Sequence, residues 1–367
     1  MNLKRRLFTL HSWLGLCGGL GLLVIFLTGS LMVFREELSE RLHPELFRVG
    51  VAKADPAYDL LYRQARAAEP AAQFYSFRRL PQAADESLEI RINERGEAGR
   101  LFVNPYDGRV LGKRFASFTD QLIVLHSTFF LKELGKLLSV FCGLALLGSV
   151  VTGFIVYRRH LLGALLFRTG IRWQNWRTAS SGLHRVLGSW ALVFNLVLAA
   201  SGFWMSFDAF NLQKLLQDER DKKEKALPEV QANLDALMAA AQRLEPGLQV
   251  TRINFPRKPD APVVVMGRAQ GSSWLWGSAA SKFEFSNVPG PPQLKKAFRE
   301  RDLGPAQRLD FVLRTLHFGQ YGGLGVKILY SLLALSSAVL SLTGYLLWWR
   351  RRRHAGRRLV RSRRVAA

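Results

Sequence analysis

HSWLGLCGGLGLLVIFLTG at residues 11–29 and HRVLGSWALVFNLVLAASG at residues 184–202 carry one pattern twice. A shift of 173 positions lays His11 on His184, Leu14-Gly15 on Leu187-Gly188, and Thr28-Gly29 on Ser201-Gly202. The match continues through Met32 and Met205 to Phe34 and Phe207. Both stretches are apolar and long enough to cross roughly 30 Å of hydrocarbon at about 1.5 Å per residue. The chain therefore reads as a membrane protein built by duplication.

Two more apolar runs complete the repeat. A shift of 191 lays Leu125-His126 on Leu316-His317, Lys136 on Lys327, and Thr152-Gly153 on Thr343-Gly344. The four expected spans are Leu7 to Phe34, Leu137 to Tyr157, His184 to Phe207 and Val326 to Trp349. The first is too long for a signal peptide, lacks a small-residue cleavage site and runs on into Arg35-Glu36-Glu37, so it reads as retained. Both halves enter from the same side, which makes this a parallel repeat about an axis along the membrane normal. The expected class is a mainly α membrane protein, four transmembrane helices as a parallel two-fold repeat, carrying two small α+β inserts. In segments this gives span 1 at 1–36, the first insert at 37–116, an interfacial helix with span 2 at 117–160, and a loop at 161–183. Span 3 follows at 184–208, the second insert at 209–305, an interfacial helix with span 4 at 306–349, and a basic tail at 350–367.

Net charge is +24 among 367 residues, which raises nucleic acid as a partner. Its distribution argues for topology instead. Lys4-Arg5-Arg6 precedes the first run, Arg158-Arg159 begins the basic link between the second and third, and nine arginines lie between Arg350 and Arg364. All fall on one side if the spans alternate, and the positive-inside rule makes that side cytoplasmic. The expectation is a bacterial inner-membrane protein with both termini inside, two inserts facing outward, lipid around the spans, an arginine tail near anionic headgroups and no nucleic acid. Cys17 and Cys142 both sit in apolar runs, so no disulfide framework is expected, and the absence of CxxCH excludes covalent c-type haem.

In the first insert the sequence predicts a helix from Tyr58 to Ala68, strands near Phe74–Phe77 and Leu88–Ile92, and a hairpin around Pro105-Tyr106-Asp107-Gly108. In the second it predicts a helix from Val230 to Leu244, strands at Val250–Phe255 and Val263–Met266, and a degenerate hairpin around Phe283–Phe285. Each reads as one amphipathic helix on its own short sheet. HxxLG entering the first span, VNPYDGRVLG at 103–112 and LHSTFF at 125–130 resemble the PepSY-associated transmembrane family. The resemblance covers nearly the whole chain and is weakest in the second insert. It implies an iron-regulated inner-membrane protein with PepSY-like inserts in the periplasm, b-type haem, and reduction of ferric siderophore there.

Four of the seven histidines obey the repeat. His11 and His184 lie about one turn inside the cytoplasmic ends of their spans, and His126 and His317 precede the other two spans at the outer boundary. Two imidazoles at one depth suit the two axial positions of a haem iron, and a closed bis-histidine site favours electron transfer. The expected cofactors are two haem b groups, ligated by His11 with His184 and by His126 with His317. The competing reading places each ring at the headgroup boundary without a metal. His43, His160 and His354 receive no role.

Arg314 is a candidate contact for a haem propionate, or a surface arginine. Gly15, Gly18, Gly19 and Gly21 lie inside a span with no preceding strand, so they read as close helix packing, with room for a flat macrocycle as the sharper use. Trp204, Trp274 and Trp276 read as an aromatic belt or an outward platform. No flavin or nicotinamide motif is present, so the electron donor is a quinol or a separate reductase. The functional expectation is an oxidoreductase that reduces ferric siderophore and releases Fe(II). The alternatives are a haem reductase for another periplasmic acceptor, a non-enzymatic PepSY-type regulator or assembly factor, and a transporter. A transporter needs broken, polar helices at the midplane, and these spans show little of either.

Overall fold

The computed structural model describes residues 3–51, 55–210, 226–277 and 279–365, the last fifteen by their backbone. The helices are α1 (Leu3–Met32), α2 (Arg35–Leu42), α3 (Tyr58–Ala68), α4 (Phe118–Thr128), α5 (Lys132–Tyr157), α6 (Trp176–Trp190), α7 (Leu192–Ala209), α8 (Leu234–Leu244), α9 (Pro305–Phe318) and α10 (Gly323–Val365). Between α3 and α4 run β1 (Gln73–Arg79), β2 (Leu88–Glu94), β3 (Glu97–Val103) and β4 (Val110–Phe115). After α8 come β5 (Gln249–Asn254), β6 (Val263–Arg268), β7 (Ser281–Phe285) and β8 (Leu294–Phe298). Two compact units result, a helical one and one made by the two inserts.

Four helices in the described residues are long and apolar enough to cross a membrane, and they make this a multi-pass membrane protein. In the helical unit α1 packs on α5 and α10, α5 packs on α7, and α6 packs on α10. Small residues set the close approaches. A Cβ on Gly18 would stand 2.8 Å from Ala145 Cβ, and one on Gly21 would stand 2.7 Å from Cys142 Sγ. The packing use expected of these two glycines is therefore observed. Leu22, Phe26, Cys142, Ala334 and Ala338 form the buried centre.

Two expectations need adjusting. The third span, read as one run from His184 to Phe207, divides at Ala191 between α6 and α7. Its hydrogen-bond ladder still crosses the division, since Ala191 N donates to the Leu187 carbonyl and Asn195 N to the Ala191 carbonyl, each at 2.8 Å. The basic tail is not a separate coil: α10 continues through it to Val365. The headgroup contact expected of its arginine side chains lies outside the described residues.

The inserts depart most from their sequence reading. The helix at Tyr58–Ala68 and the hairpin flanking Pro105–Gly108 form as expected, and the degenerate hairpin forms as β7 and β8. The two short sheets, however, are one. Eight antiparallel strands run in the order β4-β3-β2-β1-β5-β6-β7-β8, joined where Ser76 pairs Asn254 and Phe77 pairs Ile253. Phe77, Ile90, Ile253, Val265 and Phe283 are fully buried in one continuous core beneath α3 and α8. Both inserts leave an inner strand edge open, and an unpaired edge is satisfied by pairing with another.

The helices above this sheet cap each other. Ala57, which precedes α3, offers no side-chain cap. Asp235 of α8 supplies it, accepting from Tyr58 N at 2.8 Å and Asp59 N at 3.0 Å. Asp59 returns the bond, accepting from Leu234 N at 3.2 Å. Asp235→Ala should therefore cost about 1–2 kcal/mol and lower the melting temperature of the purified protein by a few degrees. An unchanged melting curve would show the reciprocal cap to be dispensable.

Candidate functional site

Each repeated histidine sits on a hydroxyl from the other span of its own half. His11 Nδ1 lies 3.2 Å from Thr152 Oγ1, and His184 Nδ1 lies 2.9 Å from Thr343 Oγ1. His126 Nδ1 lies 3.0 Å from Thr28 Oγ1, and His317 Nδ1 lies 3.0 Å from Ser201 Oγ. All four hydroxyls are helical and spend their one proton on the carbonyl four residues earlier. Thr152 donates to Gly148 at 2.6 Å, Thr28 to Val24 at 2.7 Å, Ser201 to Val197 at 2.7 Å, and Thr343 to Val339 at 2.8 Å.

That use of the proton bears on the imidazole tautomer. A hydroxyl that donates to its own helix offers each ring an acceptor, an arrangement that suits a proton on Nδ1. His11 agrees independently, because its Nδ1 also meets the Ser149 carbonyl at 3.0 Å. A ring protonated at Nδ1 has its lone pair on Nε2, the nitrogen that binds a metal. A ligating histidine with its other N–H held by an oxygen acceptor is the usual outer-shell arrangement of metal sites.

The residue after each hydroxyl is glycine, and the ring rests against it. A Cβ on Gly29 would come 3.1 Å from His126 Cε1, and one on Gly153 3.2 Å from His11 Cε1. For Gly202 with His317 and Gly344 with His184 the distances are 3.4 and 3.5 Å. Thr-Gly or Ser-Gly is thus a seat: the oxygen grips one edge of the ring and the bare glycine admits the other.

The two halves then bring the seated rings together. His11 and His184 have ring centres 6.2 Å apart, and His126 and His317 6.3 Å apart, both pairs edge-to-face. Two imidazoles on opposite sides of one metal, each with a bond of about 2.0–2.1 Å and about 1.1 Å more from nitrogen to ring centre, stand about 6.2–6.4 Å apart. The residues fit a metal centre shared by each pair. Among the described residues no three His, Cys, Asp or Glu side chains converge, so each pair supplies only two protein ligands. Burial holds the His126 and His317 imidazoles well below the usual histidine range, so both are neutral, as ligation requires.

A cavity of about 340 Å³ opens beside the first pair and is lined by both His11 and His184. Gly15 and Gly19 line it too, and a Cβ on either would meet nothing within 4 Å. The glycines of the first span therefore divide by helix face. Gly18 and Gly21 take the packing role, whereas Gly15 and Gly19 leave room for a ligand.

Other candidates are placed differently. Arg314 Nε donates to both carboxylate oxygens of Asp310 at 2.9 Å, so this guanidinium already serves an anion on its own helix. Trp274 and Trp276 form a single turn of 3₁₀ helix, with the Arg308 guanidinium 5.9 Å from the Trp276 ring, while Trp204 lies on α7 in the other unit. His43 makes a surface contact with Glu45, and His160 packs on Tyr157. The side chain of His354 lies outside the described residues.

Residues 8–351 match the PepSY-associated TM region. The chain belongs to this family. The match encloses all four histidines and all four seats of this PepSY-associated transmembrane protein. No curated protein matches it. The seats were the part that sequence reasoning missed. Their signal was present, because Thr28-Gly29, Ser201-Gly202, Thr152-Gly153 and Thr343-Gly344 were aligned as repeat markers without being linked to the histidines they carry.

Proposed function

We propose that this protein is a two-haem electron conduit of the bacterial inner membrane that reduces ferric siderophore in the periplasm. The observation that carries the reading is the fourfold recurrence of one device: a histidine whose Nδ1 rests on a Thr or Ser hydroxyl of its own half, with its ring centre 6.2 or 6.3 Å from that of its counterpart. Haem b held at the two pairs would supply one-electron transfer between the membrane faces. His11 with His184 would hold the inner group and His126 with His317 the outer one, and groups held by two histidines each would favour electron transfer over oxygen chemistry. Thr28, which seats the outer pair, lies roughly 25 Å along α1 from His11, so the pairs divide the crossing between them.

On this reading both termini are cytoplasmic, the joined sheet of the inserts is periplasmic and the spans form a parallel two-fold repeat; the basic segments at one end of the spans support it. The donor is a quinol or a separate reductase. The acceptor is Fe(III) in a hard-oxygen chelate; one added electron gives Fe(II), which such ligands hold far less tightly. A haem reductase acting on another periplasmic acceptor would use the same seats, and a PepSY-type regulator would need none of them.

The protein purified with haem should show sharp reduced b-type bands, and ferric siderophore added to the dithionite-reduced protein should reoxidise it. A colourless protein would end the conduit reading; a red protein that ferric siderophore leaves reduced would end only the substrate assignment. The seats give a finer test. Thr343→Val removes the acceptor for His184 Nδ1–H while keeping shape, and should weaken haem at the inner pair about 10–100-fold. Titration of apoprotein with haem measures it, and equal affinities would remove the hydroxyls from the account.

A further inference from the structure

The histidine pair is symmetric, but the cavity beside it is not. Repeat-related positions that line it differ in polarity. Asn195 and Ser337, hydrogen-bonded at 2.7 Å, line the second half's wall where Leu22 and Leu146 line the first. Arg185 lines it where the first half has Ser12. Among the described residues Arg185 is the one Asp, Glu, Lys or Arg in the lining, and it adjoins His184 in sequence. Its Nε donates to the Ser181 carbonyl at 3.1 Å, which turns one edge of the guanidinium toward its own helix. The terminal nitrogens keep four N–H donors.

We propose that Arg185 binds the carboxylate edge of the tetrapyrrole at the inner pair, so that the ligand sits in one orientation, its acidic side toward the second half. This rests on the reading that His11 and His184 hold haem. A haem is an amphiphile with two carboxylates on one edge and apolar substituents elsewhere. In a cavity whose other described walls are apolar or neutral, a cation decides where that edge goes. The competing account of Arg185 is a topology-setting cation at a span end, which would touch lipid phosphate and be indifferent to the haem.

The test uses the full-length protein loaded either with haem or with haem dimethyl ester, whose carboxylates are blocked. The rate at which haem passes to an excess of apomyoglobin is measured for wild type, Arg185→Gln and Arg185→Lys. With haem, Arg185→Gln should release the inner group about tenfold faster, and Arg185→Lys should fall between. With the dimethyl ester, wild type and Arg185→Gln should release at the same rate, because the carboxylates that Arg185 holds are gone. A rate unchanged by Arg185→Gln, or a gap that persists with the ester, overturns the proposal. If His184→Ala meanwhile removes one haem, the parent reading survives that failure. A wild type that takes up no haem defeats both.

Discussion

Purified His184→Ala protein should carry about half the haem of the wild type, roughly one group per chain in place of two. Each pair draws one ring from each half, so on the proposed reading removal of either ring would leave one histidine to hold that haem. His11→Ala should match His184→Ala, and His126→Ala should match His317→Ala, while the double variant His11→Ala with His126→Ala should be colourless. The residual haem of His184→Ala is diagnostic. If it stays six-coordinate and inert to carbon monoxide, it belongs to the intact outer pair, where the rings stand 6.3 Å apart. A haem that remains at the broken pair would instead bind carbon monoxide at the vacated position. His43→Ala and His160→Ala should leave the haem content at the wild-type value, since those rings contact Glu45 and Tyr157 and belong to neither pair. Full haem content in His184→Ala would remove the ligand assignment.

Gly135→Ala should abolish the outer pair and leave the inner one. Gly135 lies in the first turn of α5, and a Cβ there would stand 1.6 Å from the Thr128 carbonyl oxygen. The obstacle is backbone, so no side-chain rotation relieves it. The corner between α4 and α5 has no slack either. Phe129, Phe130 and Lys132 adopt φ of 49°, 60° and 50°, left-handed values that cost about 1–2 kcal/mol per residue for a side chain with a Cβ. The corner is tied by Leu131 N donating to the Thr128 carbonyl at 2.7 Å and by Ser139 Oγ donating to the Ser127 carbonyl at 2.8 Å. Adding a methyl group must open it, and His126, two residues before Thr128, then leaves its Thr28 seat. The expected phenotype is loss of one haem and of at least about 3 kcal/mol of stability. Gly325→Ala, where a Cβ meets nothing within 4 Å, should be nearly silent. Wild-type haem content in Gly135→Ala would show that the corner does not position His126.

Much of the architecture was legible because hydrophobic length and histidine recurrence are one-dimensional signals. Four runs of the right length and two constant shifts were enough to propose both histidine pairs. Three features were not legible, each for its own reason. The seats hide because Thr-Gly and Ser-Gly within a span look like small-residue packing, and only the structure shows a ring in the gap. The joined sheet hides because Phe77 and Ile253 are distant in sequence, and a strand edge carries no mark naming its partner. The corner at Gly135 hides because the halves solve it differently: Gly319 and Gly323 take positive φ in the second half, and position 135 aligns with Val326.

The seats also determine what a severed gene would produce. Each half makes its two seats from its own pair of spans, His11 on Thr152 and His126 on Thr28 in the first, His184 on Thr343 and His317 on Ser201 in the second. No half owns a complete centre, because every centre lies on the seam. One half expressed alone would present two well-formed but unmatched imidazoles, and mixing the two halves would be the way to recover colour.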